Sequence, residues 1–128
     1  MTKANVLELN AVLAPVRFKL EQAPCIALLT LKSKLSGLVE AIDRERTGII
    51  KTVLKELGYS EGETIPSDRQ SEVSAKLTGV ITNLLSEEVV LETSVLSVDE
   101  LYTGILANEE NASLTAEQKA VLMRYLVG

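Results

Sequence analysis

The fold of this chain is decided by residues 24–57, which read PCIALLTLKSKLSGLVEAIDRERTGIIKTVLKEL. Apolar residues recur there at steps of three, four and seven, and such steps place side chains on one face of a helix. These residues are Leu28, Leu31, Leu35, Leu38, Val39, Ile42, Ile49, Ile50, Val53, Leu54 and Leu57. Pro24 suits the start of a helix and Gly58 its end. The pattern predicts one long helix over residues 23–57, on the order of 50 Å in length.

The middle of this stretch, residues 43–48, is polar and ends in a glycine. Either the helix breaks into two near Gly48, or a single bent helix carries a polar section between two apolar ends. We favour the single helix, because a glycine inside a helix costs only about 1 kcal/mol relative to alanine.

Two further helices are indicated on either side of the long one. Residues 67–86 carry an apolar helical face that opens with capping-box spacing at Ser67, and we expect this helix to pack antiparallel on the long helix. Residues 4–14 also follow a helical stripe, although residues 6–10 partly alternate and leave a strand as the alternative. Pro15 should end that element and leave a connector to residue 22.

The pattern changes at residues 88–96, which are rich in β-branched residues and partly alternate, with Val89, Leu91, Thr93 and Val95 facing one way, and which predict a short strand. Its partner within the chain would be residues 6–10 or 16–20. Without such a partner it would be an open edge, which recruits another chain by strand addition.

Two short helices are predicted over residues 97–127, with capping-box spacing at Ser97 and Thr115. The 128 residues therefore form a single domain, 1–128, of mainly α class. We expect a helical bundle built on one long helix and an antiparallel partner, with a short β-strand or hairpin, C-terminal short helices and a variable N-terminal segment, residues 1–22.

The residue types that perform catalysis are scarce. The chain contains no histidine and one cysteine, Cys25, in apolar surroundings, so a conventional general base, a thiolate zinc site and an intramolecular disulfide are excluded. The G-x-S-x-G match at residues 58–62 follows a helix, whereas a nucleophile elbow follows a strand. Acidic groups near residues 40–45 and 87–92 are read as solvated surface. We predict a non-enzymatic protein with no catalytic residue, no cofactor and no metal.

The formal net charge of −5, with the 13 basic residues scattered, does not favour a nucleic-acid partner. No apolar run approaches the roughly 18–20 residues of a membrane span, and the first residues do not resemble a signal peptide. We therefore expect no membrane partner.

The order of these elements, and above all the segment from LLSEEV at residues 84–89 to LSVDEL at residues 96–101, resembles small proteins of tailed bacteriophages and prophages whose function is unknown. The resemblance covers about residues 28–126 and departs at residues 46–48. It implies phage origin, no known enzymatic activity, and a location in the host bacterial cytoplasm or in the virion. It transfers no site residues.

Two functional classes fit such a chain. The first is a virion or assembly component (capsid-associated, head–tail or tail) that binds copies of itself, as a homo-oligomer, and other phage proteins. The alternative is an early-expressed inhibitor that binds a host or anti-phage defence protein. A long helix and an open strand favour the first, because repeated assemblies are built from helix packing and strand addition. The expected protein-interaction residues are Val89, Leu91, Val95, Ile49 and Val53; alternatively, the strand pairs within its own chain.

Overall fold

The computed structural model describes residues 1–60, 62 and 64–127, and it is mainly helical, as predicted. Five α-helices are present in this part of the chain, joined by a π-helical turn over Tyr102–Leu106 and a 3₁₀ turn over Glu109–Asn111. The α-helices are α1 (Lys3–Leu13), α2 (Gln22–Glu56), α3 (Gln70–Leu85), α4 (Val98–Leu101) and α5 (Ala116–Leu126).

Helix α2 runs for 35 residues without interruption, including the polar section through Gly48. Of the two alternatives for this stretch, the single helix is the one observed. Pro24 lies in its first turn, where a missing backbone N–H breaks no helical hydrogen bond. Gly58 follows its last turn with a φ of +88°, a left-handed conformation that favours glycine.

The central core is formed by α1, the first three-fifths of α2, α4 with its π-helical turn, and α5. Its fully buried side chains come from all four elements: Val6, Leu9, Leu28, Leu35, Leu101, Ile105, Leu122 and Leu126. Residues 1–22 therefore contribute to the same core as the long helix. Residues 6–10, for which a strand was the alternative, lie within α1.

The strand predicted over residues 88–96 is wrong: the described part of the chain contains no strand, and this segment makes only isolated bridges at its ends. At one end the Val89 N–H donates to the Met1 carbonyl at 2.7 Å. At the other end the Leu96 N–H donates to the Leu126 carbonyl at 2.9 Å. The segment, residues 87–96, is thus fixed at both ends and has no ladder between them.

The physical reason is that neither expected partner is free to pair. Residues 6–10 are helical, and residues 16–20 are held elsewhere, because the Lys19 N–H donates to the Gly104 carbonyl at 2.9 Å. The alternation in the sequence nevertheless corresponds to alternating burial. Val89, Leu91 and Val95 are half-buried against the central core, whereas Val90 is fully exposed. The alternation in the sequence therefore reflects a segment that packs one side of its extended backbone against the core, without being a strand of a sheet.

Capping signals were right at two of three helix starts. Capping boxes at Ser97 and at Thr115 are both present, with Glu100 and Gln118 as their reciprocal partners. The box predicted at Ser67 is wrong. The Arg69 N–H donates to the Pro66 carbonyl at 2.9 Å and closes a turn over residues 67–69, so α3 begins one turn later, at Gln70.

Candidate protein-interaction surface

The C-terminal part of α2, residues 47–57, lies outside the central core. None of its side chains belongs to the central apolar cluster, which includes Ile42 and extends no further along α2. In the described part of the chain, this end of α2 is covered by α3 on one side and approached by Tyr59, Ser60 and Gly62 on another. Val53 and Val73 are buried here, while Ile49, Ile50 and Leu54 are only half-buried. Two grooves flank this end of α2.

The first groove, called here the tyrosine groove, has a volume of about 530 Å³. Its apolar floor is formed by Ile50 and Leu54, and ammonium groups of lysine residues stand beside it. The lining residues are Thr47, Ile50, Lys51, Leu54, Lys55, Tyr59, Ser60 and Gly62.

Tyr59 is positioned by the C-terminal cap of α2. The Tyr59 N–H donates to the Leu54 carbonyl at 2.8 Å, and the Gly58 N–H donates to the Lys55 carbonyl at 3.0 Å. These two bonds make a Schellman motif, which turns the chain back over the last turn of the helix. The guanidinium carbon of Arg69 lies 5.7 Å from the centre of the Tyr59 ring and makes a cation–π contact with it.

The Tyr59 hydroxyl oxygen is buried and has no hydrogen-bond partner among the described residues. A buried polar group without a partner costs on the order of 1–3 kcal/mol. The tyrosine groove therefore combines an apolar floor with the side chains of two lysines, Lys51 and Lys55, in its lining.

The second groove, called the α2–α3 groove, also has a volume of about 530 Å³ and contains two of the sequence-predicted interaction residues, Ile49 and Val53. Val53 is only 5% exposed, because it faces α3. Ile49 remains half-buried and is the one of the pair that a partner could reach. The lining residues are Glu45, Gly48, Ile49, Thr52, Val53, Glu56, Lys76 and Val80.

The other predicted interaction residues, Val89, Leu91 and Val95, line neither groove. Each is half-buried against the central core of its own chain. Their neighbour Val90, which the strand pattern assigned to the opposite face, is 103% exposed. The reachable apolar side chain of this segment is therefore Val90.

The acidic residues near the middle of α2 and in segment 87–96 meet at Lys3. The Lys3 ammonium lies 2.9 Å from a Glu45 carboxylate oxygen and 3.2 Å from a Glu87 carboxylate oxygen. The hydrogen bond to Glu45, followed by that to Glu87, raises the pKa of Lys3 above its ordinary value of 10.5 against the opposing effect of desolvation. These carboxylates are thus engaged in joining α1, α2 and segment 87–96.

Candidate metal ligands and reactive thiols were sought in the described part of the chain. No group of three or more carboxylate or thiol side chains there is arranged to hold a metal ion. Cys25 is a free, half-buried thiol near the start of α2. None of the five helices described combines the length and the apolar character needed to cross a membrane.

Sequence reasoning missed the tyrosine groove because it assigned every apolar residue of α2 to one stripe. The available signal was local: Gly58 followed by Tyr59 is the pattern of a Schellman cap whose last residue contacts the helix it closes. Nothing local could have marked Val90, because its exposure depends on how segment 87–96 lies on the core.

Comparisons with known proteins add no relationship. No protein-family model matches the chain, and neither the curated proteins nor the solved structures give a match.

Proposed function

We propose that this chain is a non-enzymatic phage protein that acts by protein–protein binding, as a virion or assembly component that associates with copies of itself and with other phage proteins. The observation that carries the proposal is the incompletely covered apolar surface around residues 47–57 of α2. Ile49, Ile50 and Leu54 are half-buried there, beside two grooves of about 530 Å³ each.

The incomplete cover supports a binding role because a helix with an apolar face is stabilised by burying it against another element. In the N-terminal part of α2 that element is the central core. At its C-terminal end α2 has α3 as the one helix packed on it among the described residues, and the flank that carries Ile50 and Leu54 opens into the tyrosine groove. Apolar surface beside such a groove is typical of an interaction site.

The antiparallel pairing of α2 and α3 is part of this proposal. Two observations support it: Lys3 brings Glu45 close to Glu87, just after α3, and Glu56, the last residue of α2, lines the α2–α3 groove together with Lys76 of α3. Residue numbers thus rise along α2 as they fall along α3. Such a helical pair presents two parallel apolar flanks, a shape suited to packing against another helix or chain.

The first experiment is the mass of the purified chain by light scattering over a hundredfold concentration range. We expect a mass above the 13.9 kDa of one chain, reaching a discrete oligomer as concentration rises. Ile50→Lys, which places a charge on the floor of the tyrosine groove, should lower that mass. Leu29→Lys is the matched control, because Leu29 is a 51% exposed apolar residue of the same helix that lines neither groove.

A chain that stays at 13.9 kDa at every concentration would exclude self-assembly and favour the alternative, an early-expressed inhibitor of a host or defence protein. Equal loss of mass in Ile50→Lys and Leu29→Lys would place the interface elsewhere. Circular dichroism of each variant, compared with the wild-type helix signal, separates loss of binding from loss of fold.

A further inference from the structure

Segment 87–96 and the tyrosine groove have complementary features although they do not meet within one chain. The segment presents Val90, whose side chain is 103% exposed, and two residues further on the exposed Glu92. The Glu88 carboxylate lies 3.2 Å from the N-terminal ammonium of Met1 and is therefore engaged within its own chain. The groove presents a half-buried apolar floor, Ile50 and Leu54, beside the ammonium group of Lys55. Apolar surface and opposite charge are thus placed on two separate sites of the same molecule.

The backbone of the segment is also available for binding. In the described part of the chain, no hydrogen bond is made by the backbone N–H groups of residues 90–93. The bonds at Val89 and at Leu96 hold both ends of the segment in place. A segment ordered in this way loses little conformational entropy when it binds, which favours association.

The dimensions of the two sites agree. The groove follows α2 from Thr47 to Lys55, about 12 Å at about 1.5 Å per residue. Residues 89–92 in an extended backbone span about 10 Å at about 3.3 Å per residue. The alternating burial along this segment fits that conformation.

We infer that segment 87–96 of one copy docks in the tyrosine groove of a second copy, with Val90 on the Ile50–Leu54 floor. Lys55 then faces the Glu92 carboxylate, and the backbone N–H groups of residues 90–93 lie along the groove. This inference rests on the proposed function, for which it names the partner and both halves of the contact.

The two halves of this contact are different surfaces, so the interface is heterologous. A head-to-tail contact of this kind leaves one free groove and one free segment in every pair, and it continues into a ring or a filament. A two-fold symmetric dimer, in contrast, would use one surface twice and would stop at two copies.

The experiment uses one variant for each half. Val90→Asp removes the exposed apolar side chain of the segment, and Ile50→Lys blocks the floor of the groove. Each should raise the dissociation constant of self-association by about tenfold or more, as expected for the loss of one buried apolar contact. Val98→Asp, at a 54% exposed valine outside both sites, is the control and should leave the dissociation constant unchanged.

The decisive measurement is light scattering of the two defective variants mixed in equal amounts. Val90→Asp retains the groove and Ile50→Lys retains the segment, so the mixture should form a species of twice the 13.9 kDa chain mass while each variant alone stays at 13.9 kDa. A mixture that remains at 13.9 kDa would overturn the head-to-tail contact.

Two other outcomes separate this inference from the proposed function. If the wild-type chain assembles and Val90→Asp assembles equally well, the docking of segment 87–96 is wrong and self-association occurs through another surface. If the wild-type chain itself does not assemble, the self-associating role fails together with this inference.

Discussion

Asn111 is the buried polar residue of the described chain, at 4% exposure, and its side chain joins two segments distant in sequence. Its Oδ1 accepts from the Arg17 N–H at 2.8 Å, and its Nδ2 donates to the Ile105 carbonyl at 2.9 Å and to the Arg17 carbonyl. One amide therefore makes hydrogen bonds to three backbone groups of two segments. This network attaches the connector after α1 to the end of the π-helical turn.

We expect Asn111→Asp to lower the free energy of unfolding by about 2–4 kcal/mol. A carboxylate cannot donate, so it would face the Ile105 and Arg17 carbonyls with like partial charge in a buried site. Urea unfolding followed by circular dichroism measures the effect. Asn108→Asp is the matched control: the Asn108 Oδ1 accepts from the Glu110 N–H, a role that aspartate retains, so the loss should stay below about 1 kcal/mol. Equal losses at the two positions would show that the Asn111 donor bonds contribute little.

The π-helical turn over Tyr102–Leu106 is the element that brings the connector before α2 against the core. It presents Gly104 to the chain at Lys19 and Leu20, where a Cβ would approach the Lys19 carbonyl oxygen to 2.8 Å and the Leu20 side chain still more closely. The hydrogen bond from the Lys19 N–H to the Gly104 carbonyl requires the two backbones to approach each other this closely. Glycine is required here for space, and not for a left-handed backbone.

We expect Gly104→Ala to destabilise the fold by about 1–3 kcal/mol, because backbone atoms of the connector would have to move. Gly79→Ala is the control on α3, where a Cβ would meet nothing within 4 Å, and it should stabilise by up to about 1 kcal/mol through helix propensity. Thermal unfolding of both variants tests the contrast. A neutral Gly104→Ala would show that the connector yields readily.

Helix α2 shows how one element can serve two purposes. Its first part is buried by the central core, and its last part, residues 47–56, is packed against one helix, α3, in the described part of the chain. The sequence pattern is equally apolar in both parts. The two parts differ in how many other helices pack against them, and the part with fewer packed helices retains apolar surface for binding.

At the scale of the whole molecule, Lys3 joins three elements through its contacts with Glu45 and Glu87. Its pKa is raised in the folded state, with the hydrogen bond to Glu45 as the largest cause. A raised lysine pKa stabilises the fold fully below the unfolded value near 10.5, and this contribution is lost as pH rises through the higher folded value.

We therefore expect the difference in stability between the wild-type chain and Lys3→Met to be constant at neutral pH and to shrink above pH 10.5. Urea titrations at a series of pH values, with the exposed lysine variant Lys34→Met as control, measure it. Comparing two chains at each pH cancels the ionisation of the tyrosines that both contain. A difference that grows above pH 10.5 would contradict the assigned role of Lys3.

The sequence by itself determined the mainly helical class, the existence of the long helix, and the capping boxes at the starts of α4 and α5. These features depend on interactions within a few residues, such as the Ser97–Glu100 and Thr115–Gln118 pairs, so the local pattern contains the needed information. The end of α2 at Gly58 belongs to the same class, because a left-handed residue after a helix is a local demand.

Only the tertiary structure decided what residues 88–96 become and where the candidate surface lies. An alternating pattern specifies one buried edge, and whether a strand forms depends on a second segment whose backbone is free to pair. Here residues 6–10 are helical and residues 16–20 are held at Gly104, so the edge lies on the core and leaves Val90 exposed. The tyrosine groove likewise exists because no distant element among the described residues completes the cover of Ile50 and Leu54, and long-range cover of this kind is not encoded in local periodicity.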